Sequence, residues 1–121
     1  MKKILVADDE EVLRMLIVDS LEDEGYEIVE AGDGAEAYEA FQKERFDLLL
    51  LDYSMPGMTG IDVIRKVRGA SVNSDVKIMM LTAKTQQSDE EIARKAGADF
   101  FLTKPFSPSK LVEIVEEILH G

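Results

Sequence analysis

Five short apolar runs, separated by segments of helical periodicity, constrain the fold of this chain more than any other feature. The first, residues 4–7, is too short for a buried helix and is followed at once by charge, as expected for a strand covered on both faces. Similar runs follow at 28–31, 48–51, 78–81 and 100–102. Strands that alternate with helices through right-handed crossovers form a parallel sheet with helices on both faces. The sequence therefore predicts one doubly wound α/β domain over residues 1–121.

The segments between these runs predict five helices. In the first, Leu13, Leu16, Ile17 and Leu21 form one inward stripe, and Val12, Met15 and Val18 lie off it. The fourth helix is predicted to begin with a capping box at Ser88 and to end at Gly97. Ser107 is the predicted N-cap of the fifth helix, with Pro108 at its first helical position.

Composition excludes several classes of function. The 14 Lys and Arg residues against 25 Asp and Glu residues give a net charge of −11, which disfavours direct contact with nucleic acid or anionic lipid. The chain has no Cys and one His, so a thiolate site, a histidine-ligated zinc site and a catalytic triad are excluded. No apolar stretch reaches the roughly 18 residues of a membrane span. We expect a cytoplasmic protein with no membrane partner.

Charged and hydroxyl residues follow four of the five predicted strands. Asp8, Asp9 and Glu10 follow the first strand, Asp52 the third, Thr82 the fourth and Lys104 the fifth. The carboxyl ends of parallel strands share one edge of the sheet, where ligands of this fold class bind. Carboxylates gathered there need a compensating cation to stay ionised, and oxygen ligands with open positions favour Mg²⁺.

A magnesium site of this kind usually serves phosphoryl transfer. Asp52 ends the most apolar strand and so lies at the centre of the sheet edge, which makes it the candidate nucleophile. Asp8 and Asp9 are then predicted to hold the metal, while Lys104 and Thr82 bind phosphate oxygens.

In these residues the chain resembles the receiver domains of two-component response regulators, of the CheY-like kind. The resemblance covers the whole chain, and it implies a flavodoxin-like fold with five strands in the order 2-1-3-4-5. We expect a stand-alone single-domain regulator. The motifs that carry the resemblance are Asp8-Asp9, Leu51-Asp52-Tyr53-Ser54-Met55-Pro56-Gly57, Leu81-Thr82-Ala83 and Lys104-Pro105-Phe106.

The resemblance implies a role for each residue of the acidic site. Asp52 would accept a phosphoryl group from a phosphohistidine on a sensor histidine kinase or a histidine phosphotransfer protein. Asp9 and Asp52 would bind Mg²⁺ directly, with Mn²⁺ as a possible substitute. The backbone carbonyl of Ser54 would complete the protein ligands, and Asp8 would act largely through water.

The resemblance also implies a switch. Lys104 would pair with the phosphate, and the Lys104-Pro105 bond would be cis. Thr82 would move toward the phosphate, and the ring of Phe101 would follow it inward and change the face formed by the fourth helix, fifth strand and fifth helix. Plain core packing is the alternative interpretation of Phe101.

Further implications concern catalysis and partners. The domain would catalyse its own phosphorylation and autodephosphorylation without being a turnover phosphatase, and Ser54 and Lys84 would tune the lifetime of the phosphorylated state. A monomer or a weak phosphorylation-dependent dimer is expected, acting on a protein target that the sequence does not identify. The predicted kinase-docking residues are Val12, Leu13, Met15, Leu16 and Phe106.

Three other functions compete with this interpretation. A phosphatase of the haloacid-dehalogenase type would need an acid at position 54, which is Ser54. A dinucleotide-binding domain would need a glycine-rich turn after the first strand, where this chain has Asp8-Asp9-Glu10. A phosphorylation-independent binding module remains the closest alternative, although the complete set of acidic, hydroxyl and lysine residues argues against it.

Overall fold

The protein is a five-stranded parallel sheet covered by helices on both faces. A computed structural model describes residues 1–83 and 87–121. The strands are β1 (Lys3–Ala7), β2 (Glu27–Ala31), β3 (Leu48–Asp52), β4 (Lys77–Thr82) and β5 (Phe100–Thr103). The helices are α1 (Glu11–Glu22), α2 (Gly34–Lys43), α3 (Gly60–Arg68), α4 (Gln87–Ala96) and α5 (Pro108–His120).

The order of the strands is β2-β1-β3-β4-β5, and every neighbouring pair is parallel. This confirms the predicted fold class and strand order. The register aligns Asp52 at the end of β3 with Leu81, and Thr82 at the end of β4 with Thr103. The polar ends of the central strands therefore emerge on one edge of the sheet.

The sheet separates two apolar layers, because side chains alternate along each strand. On one face Leu49, Leu51 and Met80 pack with residues of α2, α3 and α4. On the other face Leu50 and Leu81 pack with residues of α1 and α5. All four residues Leu48–Leu51 of β3 are fully buried, which fits a central strand covered on both faces.

Two details of the helices differ from the sequence prediction. Val18 is buried and Leu16 is 46% exposed, so the predicted places of both residues were wrong. The inward stripe of α1 runs through Ile17, Val18 and Leu21. Helical periodicity does not distinguish neighbouring stripes when apolar residues surround most of a helix. Ser88 lies inside α4, which the structure describes from Gln87, so the predicted capping box at Ser88 was also wrong.

Arg68, at the end of α3, holds three separate segments together. Its guanidinium donates hydrogen bonds to the carbonyls of Ser74 (2.7 Å), Val76 (2.6 Å) and Gly97 (2.7 Å), and it also donates to the Asp99 carboxylate at 2.9 Å. Gly97 has a φ of +127°, and a Cβ there would lie 2.7 Å from the Arg68 side chain. Glycine is therefore required at this turn, which joins α4 to β5.

None of the helices that the structure describes is long and apolar enough to cross a membrane.

Candidate functional site

Four polar residues lie at the carboxyl ends of four of the parallel strands. Asp8 follows β1, Asp52 ends β3, Thr82 ends β4 and Lys104 follows β5. Asp8 is 0% exposed, whereas Asp52 and Thr82 are each 5% exposed. Folding has thus desolvated two carboxyl groups at this edge, which costs free energy unless charged or hydrogen-bonding partners compensate them.

The ammonium group of Lys104 lies among three carboxylates. Its Nζ is 3.0 Å from Asp8 Oδ2, 3.1 Å from Glu10 Oε1 and 3.2 Å from Asp52 Oδ1. One oxygen from each carboxylate lies within 4.8 Å of the others. Three negative groups around one positive group leave a formal excess of two negative charges when all are ionised, as the arithmetic 1 − 3 = −2 gives.

Burial and the excess negative charge raise the proton affinity of Asp52. Burial and the nearby charge of Asp8 raise the pKa of Asp52 to about 7, and a hydrogen bond with Asp9 adds to the rise, although Lys104 opposes it. For Lys104, burial lowers the pKa, but the hydrogen bonds to Asp8 and Glu10 outweigh burial and leave the pKa raised. The ammonium group therefore stays charged at neutral pH, while the three carboxylates compete for it.

The residues present fit a hard divalent cation. Asp8 Oδ1 accepts a hydrogen bond from the Glu10 amide at 2.8 Å, whereas the buried Asp8 Oδ2 pairs with Lys104 but accepts no well-aligned hydrogen bond from the described residues. A cavity of about 370 Å³ opens beside these groups and is lined by Asp9, Glu10, Asp52 and Ser54, among others. An all-oxygen donor set, an under-coordinated buried oxygen and an uncompensated negative charge together suit Mg²⁺.

The backbone around Asp52 is closely packed. The amide of Ser54 donates to Asp52 Oδ1 at 3.4 Å, and the amide of Gly60 donates to the Tyr53 carbonyl at 3.1 Å. A Cβ on Gly60 would lie 2.4 Å from the Asp52 carbonyl oxygen, closer than real Cβ atoms approach. The first residue of α3 therefore has to be glycine for the helix to pack against the strand end that carries Asp52.

Phe101 lies on β5, at the side of the site where α4 packs. Its ring is half-buried and joins the core layer that contains Met80. The Arg94 guanidinium lies over the ring, 4.6 Å from its centroid, and also pairs with Glu90 at 3.0 Å. The aromatic side chain is thus held from its outer face by a cation of α4.

The other predicted site residues take several positions. Asp9 is exposed and lines the cavity, so its direct metal contact remains a prediction. Ser54 is exposed at the cavity, and the Lys104–Pro105 bond is cis. Lys84 lies outside the described residues.

Of the predicted docking residues, Leu13 and Phe106 are half-buried, and the exposed ones are Val12 (82%), Met15 (55%) and Leu16 (46%).

Glu10 is a site residue that the sequence pattern does not predict. It belongs to the acidic run after β1, but its contact with Lys104 depends on the direction of the loop, which the pattern does not specify. The structure turns Glu10 toward Asp8 and Asp52, where it completes the group of three carboxylates.

Residues 4–116 match the family described as response regulator receiver domain. The chain belongs to this family. This confirms the resemblance drawn from the motifs at the strand ends, and the match covers nearly all residues of the strands and helices.

Relatives of this receiver domain include complete regulators and isolated domains. It is 38% identical over 118 residues to the phosphate regulon transcriptional regulatory protein PhoB of Pseudomonas aeruginosa, covering 98% of this chain and 52% of that protein. The chain spans about half the length of the curated relatives it matches.

Two solved structures are closely similar to the receiver domain. The chemotaxis protein CheY4 of Vibrio cholerae has a TM-score of 0.93 and 37% identity, over 98% of this chain and 99% of that one. The response regulator TrrA of Thermotoga maritima, solved in complex with Mg²⁺-BeF, has a TM-score of 0.86 and 39% identity, over 98% of this chain and 100% of that one.

Proposed function

We propose that this receiver domain is a phosphorylation-activated switch in which Asp52 accepts a phosphoryl group. The observation that carries the proposal is the convergence of three carboxylates on Lys104 at the edge of the sheet. Such a site can place a nucleophilic carboxylate, a cation and a phosphate-binding ammonium within a few ångström of one another.

The proposed reaction transfers a phosphoryl group from a histidine of a partner. An oxygen of Asp52 attacks the phosphorus, a P–O bond of an acyl phosphate forms, and the P–N bond breaks with the electron pair left on the imidazole nitrogen. Lys104 then exchanges its contact with the Asp52 carboxylate for a phosphoryl oxygen. The buried Thr82 hydroxyl, at the neighbouring strand end, is the proposed donor to a second oxygen.

The acidic site explains why a cation is needed. Asp8, Asp9, Asp52 and the Ser54 carbonyl are the residues proposed to hold Mg²⁺. When bound, the cation supplies positive charge that keeps Asp52 ionised and offsets the charge of the phosphoryl oxygens. Without it, a pKa of about 7 leaves a large fraction of Asp52 protonated at neutral pH, and a protonated carboxyl group is a poor nucleophile. Mn²⁺, which also binds carboxylate and carbonyl oxygens, is proposed to substitute for Mg²⁺.

The same domain is proposed to catalyse the hydrolysis of its acyl phosphate. Ser54 is exposed beside the cavity, where a side chain can restrict the approach of water to Asp52. Lys84 is proposed for a similar role from its position in the sequence alone. Together the two residues would set the lifetime of the phosphorylated state without making the domain a turnover phosphatase.

The output is proposed to pass through Thr82 and Phe101 to the face formed by α4, β5 and α5. Phosphorylation adds about 1.5 to 2 negative charges, which draw the Thr82 hydroxyl toward the site. The space that Thr82 leaves allows the Phe101 ring to turn inward, away from Arg94. The packing of this face is then coupled to the charge at Asp52.

The proposed phosphodonor is a sensor histidine kinase or a histidine phosphotransfer protein that docks on α1. Val12, Met15 and Leu16 form an exposed apolar patch close to the acidic loop of Asp8. An exposed patch of this kind suits the apolar surface of a helical partner. The net charge of −11 makes a direct contact of this domain with DNA unfavourable, so the downstream target of the domain is proposed to be a protein.

Amide chemical shifts test the proposal. The ¹⁵N-labelled protein is titrated with MgCl₂ and then with beryllofluoride or acetyl phosphate, and Asp52→Asn serves as the matched variant. We expect shifts at Asp8–Glu10 with Mg²⁺ and at Asp52, Thr82 and Phe101 with the phosphoryl analogue, and the second set should vanish in Asp52→Asn.

Two results would contradict the proposal. Wild-type protein that does not respond to beryllofluoride in the presence of Mg²⁺ would favour a phosphorylation-independent binding module. Continuous release of phosphate from many phosphomonoesters would instead favour a turnover phosphatase.

A further inference from the structure

Arg14, on the first turn of α1, joins the loop after β1 to strand β2. Its Nη1 donates a hydrogen bond to the backbone carbonyl of Asp8 at 2.6 Å, and its Nε donates to the Glu30 carboxylate at 3.2 Å. The Arg14 side chain is 18% exposed and therefore largely buried, whereas that of Glu30 is 48% exposed. The guanidinium group of Arg14 therefore links the loop after β1 to the end of β2.

The Asp8 carbonyl lies just beyond the sheet. The last paired residue of β1 is Ala7, and the Asp8 amide makes one further bond, to the Ala31 carbonyl at 3.2 Å. The hydrogen bond from Arg14 thus fixes the carbonyl of the residue whose carboxylate is fully buried in the acidic site. Because this loop continues through Asp9 to Glu10, its backbone position governs where the carboxylates of Asp8, Asp9 and Glu10 lie.

We propose that Arg14 is a positioning residue of the acidic site, which holds the Asp8–Glu10 loop in the geometry that binds a divalent cation. This inference rests on the proposed function, because it assigns the loop to cation binding. Arg14 acts through the backbone carbonyl of Asp8, and Glu30 orients the guanidinium for that contact. Residues that hold metal ligands in place usually affect affinity strongly, by about 10- to 100-fold.

The direction in which the affinity for Mg²⁺ changes distinguishes a positioning role of Arg14 from a purely electrostatic one. Removal of a positive charge near an acidic site should, by Coulomb's law alone, strengthen the binding of a cation. Loss of a positioning contact should weaken it. Arg14→Gln therefore gives opposite results under the two explanations, and a merely structural role would lower the free energy of unfolding without weakening Mg²⁺ binding.

The experiment is a titration of the full chain with MgCl₂, followed by the amide shifts of the Asp8–Glu10 loop. Wild type is compared with Arg14→Gln and Arg14→Lys, and Arg45→Gln is the matched control because Arg45 is exposed in the loop before β3. We expect the Kd for Mg²⁺ to rise roughly 10-fold in Arg14→Gln. In Arg14→Lys, which keeps the charge but lacks the planar fork, we expect a rise of about 3-fold or more. Arg45→Gln should bind like wild type.

An unchanged or lower Kd in Arg14→Gln would overturn the inference. If this variant does not give a folded amide spectrum, Arg14→Lys decides by the same criterion, since it alters the side chain least. Wild-type protein that fails to bind Mg²⁺ would refute the proposed function itself, so the two failures are distinguishable. Shifts of the loop amides in the metal-free variants are a second readout, and we expect them to exceed those in Arg45→Gln.

Discussion

Replacing Asp52 with Asn should stabilise the metal-free protein at neutral pH. Asn has nearly the shape of a protonated carboxyl group and carries no charge. The substitution therefore removes one of the three carboxylates that compete for Lys104, while the packing around the end of β3 stays nearly the same. A residue proposed to be essential for function would then be one that lowers the stability of the fold.

The size of the effect follows from the pKa of Asp52. Burial and the charge of Asp8 raise the pKa of Asp52 from 3.8 to about 7. Each unit corresponds to about 1.4 kcal/mol, so ionising Asp52 in the folded protein costs at most about 4 kcal/mol. The site borders a cavity of about 370 Å³, and water and ions that enter it would screen part of this repulsion. We therefore expect a gain of about 2 kcal/mol, or about 6 °C in Tm for a domain of this size.

The gain in stability from Asp52→Asn should grow as the pH rises from about 4 to about 7. Between about pH 4 and pH 7 the folded protein binds the Asp52 proton and the unfolded chain does not, so the stability of the wild type falls as pH rises. Asp52→Asn lacks this contribution. Urea unfolding at several pH values should give nearly equal stabilities near pH 4 and the full difference above about pH 7. Saturating MgCl₂ should stabilise wild type more than the variant and reduce the difference.

Asp19→Asn is the control, because Asp19 is an exposed carboxylate on α1. It removes the same charge from a chain of net charge −11 without touching the acidic site. An equal gain in Asp19→Asn, or a gain in Asp52→Asn that does not change between pH 4 and pH 7, would refute the argument that repulsion at the acidic site is the cause.

Three other substitutions test separate parts of the structure. Gly60→Ala should lower the free energy of unfolding by about 2 kcal/mol in urea, because its Cβ would lie 2.4 Å from a backbone oxygen. Arg94→Gln should raise the inward population of the Phe101 ring roughly 2- to 5-fold, measured by aromatic NMR, since it removes the cation over the ring. Val12→Asp with Met15→Asp should slow phosphotransfer about 10-fold when the donor is a sensor kinase that phosphorylates wild type. The rate of phosphorylation by acetyl phosphate should be unchanged.

Each of these variants has a matched control. Gly69→Ala, at the other end of α3, has a φ of −88° and a nearest contact of 3.4 Å, and it should change stability by less than about 1 kcal/mol. Lys95→Gln removes an exposed charge of α4 and should leave the Phe101 ring in place. Val72→Asp alters a residue that is 61% exposed and distant from α1, and it should not slow phosphotransfer. A control that behaves like its test variant contradicts the corresponding argument.

Most of the fold could be predicted because apolar periodicity determines it. The buried run of β3 and the alternation of strands and helices specify a parallel sheet, and the sheet brings Asp8, Asp52, Thr82 and Lys104 to one edge. These are consequences of topology, which tolerates errors of one or two residues at the ends of elements.

The errors arose where side-chain direction decides the outcome. Leu16 and Val18 of α1 are both apolar, so the pattern alone cannot say which one faces the sheet. Glu10 joins the acidic site, and Arg14 bonds to the Asp8 carbonyl, because of the path of a short loop. The cation over Phe101 depends on how α4 lies against β5, and that packing has no signature in the sequence of either element.

The guanidinium of Arg68 fixes one end of α4 relative to the sheet. It bonds to the carbonyl of Gly97, directly after the helix, and to the carbonyl of Val76, directly before β4, so this end of the helix is tied to the sheet. Among the described residues of α4 only Ala93 is buried. A ten-residue helix is about 15 Å long, so a tilt of about 10° around Gly97 would displace its first turn by about 3 Å. A tilt of this kind would therefore move mainly the first turn of α4, whereas the end at Gly97 would stay tied to the sheet.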